Sequence, residues 1–461
     1  MKFSISITKT GAVPDSTELQ TGFIQKAIHA CLENGGGTVI IPKGTYYTGD
    51  IRLRSNTTLL LEEGARLLGS NNPEDYFNYL HDTIEPLSSE QITDAPYLPF
   101  SLIKDENSYT ENKPEYNYMR VPGSRWNNAL IRAFNAENIK IIGQKDSIID
   151  GCNCFDEKGE SNYRGPHGIT FWGCNNIELK GYTIKNTGNW AHNLTFCSNV
   201  NINSIIVLAG HDGVHATDCN NLSITDSDFY TGDDCIAGYG NVNSYISNCT
   251  LNSSCSAFRF GGTNMLAEHC HIFGPGKYGF RGALSDEEKR ISAPSPKNSG
   301  RNNMLSAFTY YADYAMPIKV QPCNIIISDC KIENTDRFLH YNYSGNETWQ
   351  KGSPLINIRF ENIKASGIEM PLTLYGDEND KITFTMKNVE IDMQDKFKHF
   401  ALINAANYES INLTKVSLLN ADLDTVINKW TDGNINISGC SFGEVKTISK
   451  YSDTEFSAEP I

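Results

Sequence analysis

The chain reads as an all-β protein, a solenoid of stacked coils of the parallel β-helix type. The first observation behind this is a six-residue pattern with apolar first, sixth and usually fourth positions. It recurs as Leu179 to Ile184, Ile202 to Val207, Ile224 to Phe229, Ile246 to Leu251 and Ala267 to Ile272. The second is the period: these copies begin 23, 22, 22 and 21 residues apart, and more begin at Ile327, Phe360, Met386, Leu413 and Ile437. The third is the lack of helical periodicity, in a repeat too short for a strand–helix unit. Each repeat then supplies one coil, about ten in all, with strands stacked about 4.8 Å apart. Residues at equal offsets form ladders.

Taken in order, residues 20 to 33 place Phe23, Ile24, Ala27, Ile28 and Leu32 on one face of a helix that ends at Gly35-Gly36-Gly37. Such a helix caps the open end of a solenoid, so 1–70 is expected to hold the cap and the first coils. Residues 71–130 are aperiodic and carry Tyr109, Tyr116, Tyr118 and Trp126; a second interruption, 283–320, carries Tyr310, Tyr311 and Tyr314. Long interruptions of a regular scaffold are read as functional loops beside a groove, their aromatics serving either as sugar platforms or as anchors for the loops. Residues 1–461 are expected to form a single domain.

The ladders also account for the cysteines. Cys249, Cys270, Cys330 and Cys440 take the fourth place of the hexad, where other coils have Tyr182, Ile205, Ile363, Val389 and Val416, and so read as core thiols. No spacing of cysteine or histidine suggests zinc, and no metal or cofactor is expected. With 13 cysteines at least one stays unpaired within a monomer, which favours a reducing compartment. His269 and His271 fall in a hexad and read as ordinary strand residues.

The chain of 461 residues, 39% apolar and with 37 glycines, is long enough to bury an extended core. No apolar run approaches a membrane span, and Met1-Lys2-Phe3 does not open a signal peptide. The expected location is cytoplasmic as written, or secreted or periplasmic if a leader has been removed. A formal net charge of −15 argues against nucleic acid, and an anionic substrate would need a local basic patch.

One column carries chemistry. Asp212, Asp234 and Ser256 occupy the same place in three successive repeats, and Asp233 adjoins the second. Turns are rich in aspartate, as at Asp226 and Asp228, but three carboxylates converging in one column suit acid–base catalysis. Crowding raises at least one pKa, which keeps an acid protonated near neutrality. An inverting glycosidase needs its acid and base about 6.5–9.5 Å apart, with water between them.

Three segments carry a family resemblance. The first is Gly49 to Leu53 with Ser55 to Leu59 and Glu63 to Ser70; the second is Asn186-Thr187-Gly188-Asn189-Trp190-Ala191-His192; the third is Thr231-Gly232-Asp233-Asp234-Cys235-Ile236-Ala237. Over residues 10 to about 285 the chain resembles the polygalacturonase and rhamnogalacturonase family, glycoside hydrolase family 28, as a divergent member. The resemblance implies a right-handed parallel β-helix, Asp233 as general acid, and Asp212 with Asp234 activating water for inverting attack.

The departures concern the basic residues by which that family's polygalacturonases hold a galacturonate carboxylate. The family's Asn-Thr-Asp is Gly210-His211-Asp212 here, its Gly-His-Gly aligns with Cys255-Ser256-Ala257, its Arg-Ile-Lys maps onto Arg281-Gly282-Ala283, and a lysine after the paired aspartates is Tyr239. Three residues past the aspartate column lie His192, His215, Ala237 and Arg259, between apolar neighbours, so this column is expected to face outward. Arg259, with a fork suited to bidentate contacts, either holds substrate or pairs with Asp234. Arg281, His192, His215, Trp190, Ser256 and Tyr239 complete the expected substrate-binding set.

The expected function is inverting hydrolysis of α-linked pectin-type oligosaccharides containing galacturonate or rhamnose, with exo action if a loop closes one end of the groove. Two alternatives belong to other classes. One is a polysaccharide lyase, with the aspartates recast as a calcium site and Arg259 or Arg281 as base. The other is a catalytically inactive β-helix that binds glycan. Oligomeric state is open.

Overall fold

The computed structural model describes residues 3–76, 125–291, 297–313, 320–345, 350–351, 353–393, 401–443 and 446–450. Tyr109, Tyr116, Tyr118 and Tyr314 lie outside the described residues. Among the described residues the chain winds a 34-stranded sheet, paired in parallel from each coil to the next, as a right-handed parallel β-helix. No described helix is long and apolar enough to cross a membrane.

The hexad is the corner between two strands of a coil. Its first residues stand in unbroken register from Leu179 through Ile202, Ile224, Ile246, Ala267, Ile327, Phe360, Met386 and Leu413 to Ile437. The ladder continues upstream through Ile141, Leu59 and Val39 to Ile5. Its third residue turns the corner with left-handed backbone in every copy: Gly181, Ser204, Asp226, Asn248, His269, Asp329, Asn362, Asn388, Lys415 and Gly439, with φ between 51° and 79°. His269 is therefore a corner residue, contrary to its expected place in a strand, whereas His271 lies in strand His271–Phe273. The fourth-place thiols Cys249, Cys270 and Cys330 are buried and Cys440 half-buried; all 13 cysteines are free.

The helix Thr21–Glu33 packs on strands Gly37–Ile41 and Ile51–Arg52. It buries Ile24, Ala27, Ile28 and Cys31, while Leu32 points outward, one position off the expected face. Gln25 bonds the Arg52 backbone with both ends of its amide at 3.0 Å, satisfying a polar edge under the cap.

Part of the second interruption is itself a rung. Met304–Tyr310 pairs with Ser256–Glu268 on one side and Thr335–Asn342 on the other, which makes Tyr310 a core residue. The first of the three strands of each coil carries the outward ladder Arg52, Arg132, Thr170, Asn193, His215, Ala237, Arg259, Thr309 and His340. This polar ladder is the face on which the carboxylates stand.

Candidate active site

The aspartate column is set by register. Val214, Ile236, Phe258 and Phe308 pair in line in the core, so Asp212, Asp234, Ser256 and Ser306, two residues earlier on each coil, form a second line. Asp212 and Asp234 are buried, and Asp233 is the partly exposed member of the trio. The Asp233 carbonyl is fixed by Thr231 Oγ1 at 2.7 Å and Ser253 Oγ at 2.5 Å, both donating to it. One oxygen from each carboxylate lies within 4.8 Å of the other two. The expected acid–base gap of 6.5–9.5 Å is thus absent. Coils one strand spacing apart, joined by adjacent residues, leave no room for it.

Arg259 binds the column together. Its Nε donates to Asp234 Oδ2 at 2.5 Å, its Nη2 to Asp212 Oδ2 at 3.2 Å, and its Nη1 to the Tyr239 hydroxyl at 2.6 Å. Its guanidinium also faces the rings of Tyr239 and Tyr311 at 5.2 and 5.5 Å. Of the two roles expected of Arg259, the pairing with Asp234 is the one present, and Tyr239, expected to bind substrate, instead accepts from the guanidinium that bridges the two carboxylates.

His215 completes that network from the other side. Its Nδ1 lies 2.8 Å from Asp212 Oδ2, and its ring stacks on Trp190 with centroids 3.6 Å apart and planes 12° from parallel. Burial first, then Arg259 and Arg164, hold His215 well below its ordinary pKa, so the imidazole is neutral and Nδ1–H donates to the carboxylate.

Burial raises all three carboxylic acids. Asp233 is pushed up to about 6 by burial and by Asp212, while Arg164 and Arg259 pull it down. Asp234 is pushed up to about 8 by burial against the pull of Arg259. Yet Asp234 accepts from that guanidinium at 2.5 Å, a contact that favours the ionised acceptor. The proton the cluster retains belongs on Asp233, which no described guanidinium bonds. The three aspartates have a donor set that could hold a cation. Arg259 already supplies positive charge to two of them.

Two expected site residues lie elsewhere. His192 pairs with Val214 and Asn193 with His215, so His192 belongs to the core column and Asn193 to the outward one. The connection from Lys185 to His192 is one residue longer than that from Leu208 to Val214, which shifts the register and brings Trp190 level with Asp212. His192 is buried, with Nε2 3.0 Å from the Tyr182 hydroxyl and Nδ1 2.9 Å from the Gly213 carbonyl, and burial lowers its pKa to about 4. Arg281 spends its fork on backbone, donating to the carbonyls of Gly188 and Asn153 at 2.7 Å and of Lys289 at 2.8 Å. It ties its loop to the coils and does not hold substrate through those donors. Ser256 stays in the column and accepts from Ser306 Oγ at 3.1 Å.

Arg164 is the residue that sequence reasoning missed. It comes from the excursion between strands Ile148–Asp150 and His167–Trp172, which has no periodicity to mark it. Its charge acts on Asp212, Asp233, His211 and His215. It lies over Trp126, Tyr163 and Phe280 at about 6 Å. His211 packs on Tyr163 and Phe280, and Trp126 meets Trp190 edge to face at 4.9 Å. Trp126 and Tyr311, from the two interruptions, thus both border the site.

Residues 114–257 match the model of glycosyl hydrolases family 28. An exo-poly-alpha-D-galacturonosidase of Dickeya chrysanthemi is 30% identical over 268 residues, 51% of this chain and 42% of that protein. The chain therefore spans less than half the length of that relative. Among solved structures, a hyperthermoactive exopolygalacturonase from Thermotoga maritima superposes with TM-score 0.59 at 16% identity, over 91% of both chains. A family 28 exopolygalacturonase of Yersinia enterocolitica gives TM-score 0.51 at 19% identity, over 97% of this chain and 78% of that one. At those identities the structural likeness is one of fold.

Proposed function

We propose that the chain, whose residues 114–257 match the model of glycosyl hydrolases family 28, is a member of that family and hydrolyses α-linked pectin-type oligosaccharides, containing galacturonate or rhamnose, from chain ends and with inversion. The observation that carries this reading is the trio Asp212, Asp233 and Asp234 within 4.8 Å, two of them bonded by Arg259 and the third partly exposed. Asp233 is the general acid. It is partly exposed, has no guanidinium donor among the described residues and holds its proton to about pH 6. Asp212 and Asp234, kept ionised and joined through Arg259, polarise the attacking water. Inversion rests on the family, since the short carboxylate spacing does not argue for it.

Exo action is favoured by the bulk next to the carboxylates. The column that holds Asp212 continues toward the N-terminal coils as Trp190 and then His167, both buried. Their rings add bulk on that side of the carboxylates, which favours binding at a chain end. The name of the Dickeya relative, an exo-acting enzyme, points the same way.

A panel of pectic oligosaccharides and synthetic α-glycosides tests the proposal, with reducing ends and unsaturation followed together. Release of single sugars from one chain end is the expected result. Unsaturated products, or scission in mid-chain, would contradict it.

A further inference from the structure

We propose that Arg164 and His211 form the site that takes the carboxylate of the sugar bound on the N-terminal side of the cleaved bond, which makes the substrate a uronoside. The inference deepens the hydrolase reading and rests on it for the position of the bond.

The residues at the positions where the family holds a substrate carboxylate supply no free cation. Tyr239 and Ser256 carry no charge, Arg281 donates to three backbone carbonyls, and Arg259 is bonded to Asp212, Asp234 and Tyr239. Arg164 differs. Its Nε lies 3.2 Å from Glu160 Oε2 and its Nη1 donates to Asn189 Oδ1 at 3.1 Å, while Nη2 has no acceptor among the described residues. Its guanidinium rests against three aromatic rings and its charge reaches Asp212 and Asp233.

His211 supplies the second observation. It is fully buried, and neither ring nitrogen has a hydrogen-bond partner among the described residues. Burying an imidazole without partners is costly, and a ligand atom removes that cost. Burial and the charges of Arg164 and Arg281 keep His211 neutral, so one nitrogen donates and the other accepts. Tyr163 and Phe280 touch both His211 and Arg164, which puts the two against the same rings next to Asp212. A guanidinium edge and an imidazole N–H suit a carboxylate; the second imidazole nitrogen suits an adjacent hydroxyl.

Calorimetry on the Asp233→Asn protein reads this site without turnover. Its ligands are trigalacturonate and the trimer with all carboxyls reduced. Trigalacturonate is expected to bind ~10- to ~100-fold more tightly, the size of one or two charge-assisted bonds. Arg164→Gln added to that protein should erase most of the preference, and His211→Phe part of it, with the reduced trimer bound as before. An unchanged preference in both variants would overturn the inference. So would equal loss for the two ligands, which marks a structural role, or absence of any preference at the outset. Turnover by the unsubstituted protein is judged separately: if no glycoside is cleaved but the preference depends on Arg164, the carboxylate site stands and the hydrolase reading falls.

Discussion

Trp190 and His215 stack with ring centroids 3.6 Å apart, and the stacked imidazole bonds Asp212 at 2.8 Å. An aromatic ring thereby bears on a carboxylate through the imidazole between them. Trp190 stands in the column of Asp212 on the preceding coil, so coil stacking itself delivers the contact.

Trp190→Ala removes that support and is expected to lower kcat by ~10- to ~100-fold, the effect of a misplaced catalytic group. It also opens His215 to water, so its imidazole should begin to titrate between pH 5 and 7 in proton NMR, where the unsubstituted protein shows no titration. Unchanged kcat and a silent His215 would show that the stack is ornamental to the site.

Arg259 lowers the pKa of both Asp212 and Asp234, so its removal raises them. In Arg259→Gln the acid limb of the kcat/KM profile should move to higher pH, and the rate at pH 5 should fall by ~100-fold or more. An acid limb that stays in place would separate Arg259 from the titration of the pair.

Asp233 also leaves a mark on stability. Its folded pKa of about 6 lies above the ordinary 3.8, so it contributes stability that is fully present below about pH 4 and is lost as pH rises through 6. Asparagine carries no such loss. Asp233→Asn should therefore raise Tm at pH 8 relative to the unsubstituted protein, with the difference shrinking toward pH 4. An equal shift at both pH values would refute the raised pKa.

The corner rule of the hexad is testable at Gly181. Its φ is +79° and an added Cβ would lie 2.4 Å from the Gly143 carbonyl oxygen. Gly181→Ala should cost about 1–2 kcal/mol or more in urea unfolding, since both the conformation and the space exclude a side chain. No loss of stability would mean that the corner relaxes freely.

Much of this was legible in the sequence because a solenoid converts spacing into position. The hexad foretold the core ladder, and equal offsets foretold that Asp212, Asp234 and Ser256 would meet. The same logic failed wherever the period changed. One extra residue between Lys185 and His192 moved His192 into the core and put Trp190 beside the carboxylates. Arg164 enters from a non-repeating excursion, which offers no offset to count. Arg281 occupies a position that suggests a ligand contact, but only the fold reveals the three carbonyls that claim it.

The central claim, that Asp233 gives up the proton while Asp212 and Asp234 direct water, is tested most directly by following trigalacturonate in proton NMR with the unsubstituted and Asp233→Asn proteins. The account predicts first release of the inverted, β-configured monomer. It also predicts that Asp233→Asn slows release by ~100- to ~10,000-fold, the contribution of a general acid, while trimer affinity is kept. An α-configured first product, or full activity in Asp233→Asn, would contradict it.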